Sequence, residues 1–563
     1  MNPADIIYMD LETTGLNPRQ DRISLASVNG MIFGEDEIDD LIRLIQEPDI
    51  TLVGHNLKFD IGFLYARSGH RLSIANLFDT MIAHQLLTAG LETRSSLDNL
   101  TRYYLGINLD KTLQKSDWSG NLSQGQLEYA ARDSLVLPSL HNLLSGLLQM
   151  HTLEKVAEIE FQAIPAISEM EVNGVGLNFE AARLLFENLM KRKLDLEAEL
   201  IRLVESYGWK PQEKKKASKK GFNPRSNKDV VSAIQIIYGL NVDSCNHDNL
   251  ELISREYPDI QFASALLEYR DIEKQRGMLE GWIEQAENGR LYPSYFQLGA
   301  DTGRFTSSKP NIQQIPRDSR IKGLFHARSG YKLIECDFSG IELRIAATLS
   351  GDSGLIRIFR EGLDPHKTTA SGVFHKPIEG VTPTERQIAK SINFGSIYGG
   401  SWRILQKAIP GIEEKEARRY LRDFFRTYPG LAEWQDSCEL CEKVEFGLQK
   451  YCMPRSLSGR YRFVEPKERN KLLNTPVQAT GADLLKASLG ALYNALCSPE
   501  YNDNRILTCI HDSIIIEVPE DRADEIGDLL RNIMVTTGNE MLFPTPCDAE
   551  IKIGNDWSFR ETS

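Results

Sequence analysis

Residues 382–399, TPTERQIAKSINFGSIYG, leave the backbone few choices. Thr382 is a capping hydroxyl, Pro383 suits a first helical turn, and Glu385 stands three residues after the cap, so the stretch predicts a helix start. From there Arg386, Lys390, Phe394 and Tyr398 recur every four residues. At about 3.6 residues per turn they share one face, two cations followed by two aromatic rings. Cations suit a polyphosphate and rings suit a base, so this face can hold a nucleoside triphosphate along its length. Most Arg/Lys repeats at this spacing are solvated stripes; the aromatic continuation sets this helix apart.

At 563 residues the chain has room for roughly three or four domains. A hydrophobic fraction of 41% and a charged fraction of 26% are those of an ordinary globular protein. No apolar run approaches the ~20 residues of a membrane span. The N-terminus, MNPADIIYMDLETTG, shows no signal peptide, so a cytoplasmic location is expected. Eight scattered cysteines suit a reducing compartment. Cys438 and Cys441 form a CxxC with no second pair at metal spacing and read as ordinary thiols on adjacent helix turns. The net charge of −14 alone argues against nucleic-acid binding. Between Lys210 and Lys228, however, eight Lys/Arg face a single acid. Lys214, Lys215, Lys216, Lys219 and Lys220 in that run are candidate contacts to a duplex backbone.

Residues 1–147 read as an α/β unit, with strands IIYMDL, ISLASV and TLVGHN followed by helices near 59–67, 79–87 and 124–147. Long amphipathic helices follow over 152–208, and helices resume after the basic run to about 287. LYPSYFQL and YKLIECDF read as strands, 352–450 is mostly helical, and RILTCI with SIIIEV forms a hairpin turning at His511-Asp512.

Two groups of carboxylates carry chemistry. Asp10 and Glu12 alternate about Leu11, so both point to one side of a strand. Asp60 ends NLKFD, and Tyr129 and Asp133 lie four apart on a helix face. Four converging carboxylates repel one another, and two divalent cations remove the conflict. Such a pair can polarise a phosphodiester, generate hydroxide and stabilise the leaving oxygen, with Tyr129 orienting the water. In the order DLETTGL, NLKFD, YAARD the pattern resembles the 3′→5′ proofreading exonucleases with four acids and a tyrosine, and implies an active nuclease. In the second group Asp337 ends a strand and Asp512 sits in the hairpin turn. Together they could hold two Mg²⁺ ions that activate a primer 3′-hydroxyl, while Arg386 and Lys390 take up phosphate charge.

DFSGIELR at 337–344, RQIAKSINFGSIYG at 386–399 and HDSIIIEV at 511–518 resemble the three polymerase motifs of family A DNA polymerases. TGRFTSSKPNIQQIP at 302–316, NTPVQATGADLLK at 474–486 and the terminal IGNDW extend the resemblance over essentially the whole chain. It implies a multidomain α/β and α+β protein: a ribonuclease H-like exonuclease over 1–147, then a right-hand polymerase. The implied thumb is 152–290, the palm 291–348 and 459–563, and the fingers 349–458. Asp10, Glu12, Asp60 and Asp133 are implied as metal ligands of one site, with Tyr129 beside them, and Asp337 and Asp512 as those of the other. Arg386, Lys390, Phe394, Tyr398 and His511 are implied in nucleotide and primer-end binding, and Glu342 as the gate against a ribose 2′-hydroxyl. Arg304 and Gln313 are implied in the minor groove, and Asn474 and Gln478 at the template and terminal pair. Thr475, Pro476 and Gln478 also read as a capping box.

The implied cofactor is Mg²⁺, two ions per active site, with Mn²⁺ as a substitute. The implied partners are primer–template DNA and dNTPs, and a monomer is expected. Phe394, where some relatives have tyrosine, implies discrimination against dideoxynucleotides. Gly340 stands where glutamine is usual and Ser513 where glutamate is usual, so no third carboxylate ligand is expected at 513. The 5′-nuclease domain of the larger bacterial enzymes is expected to be missing. A nuclease with a merely DNA-binding C-terminal part has no use for the Asp337/Asp512 pair, and a single-subunit RNA polymerase has none for Glu342.

Overall fold

The computed structural model describes residues 6–114, 116–210, 221–409, 411–441, 443–446 and 449–560. Lys214, Lys215, Lys216, Lys219 and Lys220 lie outside them. The chain divides into two compact units: Met1–Val175, Tyr292–Pro316 and Ala327–Ser563 form the first, and Gly176–Leu291 with Arg317–His326 the second. No described helix is long and apolar enough to cross a membrane.

In the first unit, strand Ile6–Thr13 buries Ile7, Met9 and Leu11 on one face, which leaves Asp10 and Glu12 on the other. It is central in a five-stranded sheet whose order is Met31–Gly34, Ile23–Val28, Ile6–Thr13, Thr51–Gly54, Asn76–Asp79. The first three strands are antiparallel and the last two join in parallel. Helix Leu57–Ser68 brings Asp60 beneath the central strand. The expected helical run at 124–147 is two helices, Gln124–Leu135 and Leu137–Met150, because Pro138 restarts the helix at its first positions.

Helix Glu154–Asn173 buries fourteen of its twenty residues. It packs on helix Leu57–Ser68, on helix Arg469–Ala495 and on strand Arg505–Ile510. Its Glu169 takes two hydrogen bonds from Arg71, at 2.6 and 2.7 Å, and Arg71 also donates to the carbonyls of Leu496, Tyr501 and Asn504. A buried guanidinium satisfied this fully is tolerated, and removing either partner would strand a charge. A helix buried this deeply has to be enclosed on more than one face, and its buried Glu160 and Glu169 have to be paired. It lies in the first compact unit, whose first segment runs to Val175. A second buried network joins Glu160, Arg460, Asp483 and Lys486. The Lys486 Nζ lies 2.7 Å from Glu160 and donates to the carbonyls of Gln297 and Gly303, which fixes the segment leading to Arg304.

A four-stranded antiparallel sheet runs Arg505–Ile510, Ser513–Pro519, Tyr331–Phe338, Ala549–Gly554. Its LIECDF run and the SIIIEV strand pair with Asp337 opposite Ser513. The strand expected from LYPSYFQL is only Ser294–Phe296, since Pro293 has no N–H for a ladder. The start expected at Thr475 is also absent. Helix Arg469–Ala495 runs straight through Pro476, and the Thr475 hydroxyl bonds back to the Lys471 carbonyl at 2.6 Å while accepting from Arg462. Helices between 353 and 439 pack around Pro383–Ile397, whose Thr382–Glu385 capping box forms as expected.

In the second unit the long helix Phe179–Ser206 lies against Phe262–Gln285. Leu189, Leu196, Leu200 and Val204 are buried on its inner stripe, and Trp282 packs on Phe325 with ring centroids 5.1 Å apart.

Candidate active sites

The N-terminal acids open into one cavity of about 480 Å³, lined by Asp10, Glu12, Asp60, Tyr129 and Asp133 among others. Burial, then Asp133, pushes Asp10 up to about 7, and burial, then Asp10, pushes Glu12 up to about 9. Asp60 is also held well above the usual carboxylate range by burial, although the Leu11 N–H donates to it at 3.1 Å. One residue was not legible in the sequence. Lys111 enters the cavity from the 106–123 connection, with its Nζ 2.8 Å from Asp133 and 3.4 Å from the Tyr129 hydroxyl. As the side chains stand, no three His, Cys, Asp or Glu among the described residues enclose a metal position. The four acids share a cavity, but their convergence is incomplete, because like charges resist it and Lys111 occupies Asp133. Hard oxygen donors and raised carboxyls still fit a divalent cation, which would replace bound protons.

The second site forms where two turns meet. The Asp512 carbonyl accepts from the Phe338 N–H, and the hairpin residue His511 takes a left-handed φ of 56°. Burial, then Asp512, pushes Asp337 up to about 7; burial, then Glu342, raises Asp512 as well. The side-chain hydrogen bond between them raises Asp337 and lowers Asp512, so Asp337 holds the proton whose place a cation would take. Glu342 lies 3.4 Å from Arg304. The Tyr398 phenol is raised by burial first and then by Glu342 beside it. Arg304, Gln313 and His511 line one small cleft, and Gln313 donates to the Cys509 carbonyl at 2.6 Å. The Asn474 side-chain oxygen is buried without a hydrogen-bond partner among the described residues, and Gln478 is half-buried a turn further along.

The helix face of Arg386, Lys390, Phe394 and Tyr398 is present, with one surprise. Arg386 is bound at 2.7 Å to Asp364, the residue that caps the neighbouring helix Pro365–Phe374. Lys390 is exposed. Phe394 packs on His366 with centroids 5.9 Å apart, and His366 meets Asn393 at 2.9 Å. His366 was missed in the sequence because nothing in DPHKTTA marks it before the fold brings it to this face. Cys438 lies in the last turn of helix Pro429–Glu439 and Cys441 just beyond its end, so the two are not on adjacent helix turns as expected.

A family model described as DNA polymerase family A matches residues 202–559, and one described as 3′-5′ exonuclease matches residues 2–149. The chain belongs to DNA polymerase family A. Its N-terminal domain is a 3′–5′ exonuclease domain of the kind that accompanies divalent-metal polymerases. This family A polymerase is 34% identical to the DNA polymerase I of Aquifex aeolicus, across 98% of this chain and 96% of that one. It is 30% identical to the DNA polymerase I of Pseudomonas aeruginosa, and there spans 64% of the relative's length. The fold matches a structure described as the POL domain of Pol1 from M. smegmatis in complex with DNA primer-template and dNTP. The TM-score is 0.80 at 22% identity, over 98% of this chain and 96% of that one.

Proposed function

We propose that Asp337 and Asp512 are the catalytic pair of DNA-templated DNA synthesis, and that Asp10, Glu12, Asp60, Asp133 and Tyr129 form the site that removes mismatched 3′ ends. The observation that carries the reading is the hydrogen-bonded pair Asp337/Asp512, with Glu342, Tyr398 and Arg304 beside it. In this reading 1–147 is the exonuclease domain, the second unit the thumb, the two sheet-bearing segments the palm, and the 353–439 helices the fingers. Mg²⁺, two ions per site, would bind Asp337 and Asp512 in one site and Asp10, Glu12, Asp60 and Asp133 in the other. When bound it supplies Lewis-acid activation of the attacking oxygen and charge neutralisation on the leaving group.

The protein's own residues do the rest. Lys390 and Arg386 offer donors to the triphosphate, and Arg386 must share itself with Asp364. Phe394 stacks beneath the incoming nucleotide, and Tyr398 closes the helix face near the templating base. Glu342, held between Arg304 and Tyr398, leaves no room for a 2′-hydroxyl. Gln313, Gln478 and Asn474 meet the primer–template minor groove and terminal pair. Primer extension by the purified protein with dNTPs and MgCl₂ tests the whole reading; absence of incorporation on a matched primer overturns it.

Two outcomes follow from particular side chains. Phe394→Tyr supplies a hydroxyl where a dideoxynucleotide has lost one. It should raise dideoxynucleotide incorporation relative to dNTP by about 100-fold or more, the scale of one hydrogen bond to a charged group. Competition between ddTTP and dTTP on one primer measures it, and an unchanged ratio removes Phe394 from the sugar. The second outcome concerns pH. Carboxyls raised above their unfolded values contribute stability below the unfolded value, and that contribution is lost as pH rises through about 7 for Asp10 and about 9 for Glu12. A bound cation takes the proton's place, so the Tm gain from MgCl₂ over EDTA should be larger at about pH 9 than at about pH 6. Calorimetry at the two pH values decides, and an equal gain sinks the metal assignment.

A further inference from the structure

Lys111 is not a surface lysine that happens to reach an acid. The connection that carries it is anchored at several points. The Ser24 hydroxyl donates to the Trp118 carbonyl at 2.7 Å, the Gln126 amide donates to the Asp117 carbonyl at 2.9 Å, and Trp118 is buried against Tyr129. The Lys111 side chain is only 23% exposed, a poor position for an ammonium with no task. Among the described residues lining the cavity it is the one Lys or Arg, against five carboxylic residues. Its Nζ meets two of the site's members at once, the Asp133 carboxylate at 2.8 Å and the Tyr129 oxygen at 3.4 Å, and it stands 5.5 Å from the Tyr129 ring centroid.

We propose that Lys111 is a positioning residue of the exonuclease reaction, a built-in cation that orients the Tyr129 hydroxyl and the Asp133 carboxylate. The proposal rests on the reading of the N-terminal acids given above. By donating to the Tyr129 oxygen, Lys111 holds the phenol in place beside Asp133, with which the phenol also shares a hydrogen bond. By pairing with Asp133, Lys111 holds that carboxylate in one rotamer until a cation competes for it. The same charge sits beside the metal position and repels a divalent cation, so its two effects have opposite signs for binding and for rate.

Lys111→Met keeps the length of the side chain and removes its charge. It should lower kcat for digestion of single-stranded DNA by about 10- to 100-fold, the usual scale for partners that orient a ligand, with KM nearly unchanged. It should also tighten Mn²⁺ binding, counted by electron paramagnetic resonance of free Mn²⁺ in an Asp337→Asn background that confines binding to the exonuclease site. Lys111→Arg, which keeps charge and donors, should recover most of kcat. A damaged site would lose rate and metal affinity together, so weaker Mn²⁺ binding by Lys111→Met overturns the proposal, as does an unchanged kcat. Asp10→Ala is run alongside. If it too retains exonuclease activity, the assignment of the site is wrong; if it is inactive while Lys111→Met matches the wild type, only the role of Lys111 is wrong.

Discussion

Asp337→Asn is expected to abolish primer extension, by about 10³-fold or more, which corresponds to ~4 kcal/mol of lost transition-state stabilisation. The substitution spares the fold. Asp337 is held near 7 by burial and by Asp512, so the fold already accommodates a neutral group of this shape. Asparagine keeps the shape and removes only the charge that would meet a metal ion. The strand stays in register with Ser513 on one side and Glu550 on the other, since that pairing is made by the backbone. Degradation of a single-stranded primer should therefore continue at the wild-type rate. Single-turnover extension and digestion assays on one preparation measure both. Loss of both activities would mean that one site serves both reactions.

Asp10→Ala is expected to give the mirror image, with digestion down by about 10³-fold or more and extension intact. Asp10 faces the cavity from the polar side of strand Ile6–Thr13, while Met9 and Leu11 hold the strand in the core. Its neighbours Glu12 and Asp133 lose a repulsive partner, so the domain should not be destabilised. A mismatched primer separates the two outcomes most sharply. The wild type should trim before extending, and the variant should stall or extend the mismatch. Trimming at an undiminished rate would remove Asp10 from the reaction.

The legibility of these sites in the sequence followed from how local their geometry is. Asp10 and Glu12 on one strand face, Tyr129 and Asp133 on one helix face, and the capped helix at 383–397 are fixed by periods of two and 3.6, which the sequence displays. The hairpin holding Asp512 was equally local. What escaped notice was non-local. Lys111 sits in an irregular connection with no period to reveal its direction, and His366 reaches Phe394 only through the packing of one helix on another. The same holds for Pro476, which signals a helix start and is overridden by Thr475, Arg462 and the buried environment of that helix. For helix Glu154–Asn173, amphipathic periodicity tells that a helix is buried and not by what.

That helix has a consequence for how copying and correction share one molecule. Glu154–Asn173 is packed by the nuclease sheet's helices on one side and by the polymerase sheet's strand on the other, and Arg71 clamps the same junction with five hydrogen bonds. The two workplaces are mounted on a single chassis. On the proposed assignment of the two sites, a primer end passing from one to the other does the travelling itself, since both sheets are held in one compact unit.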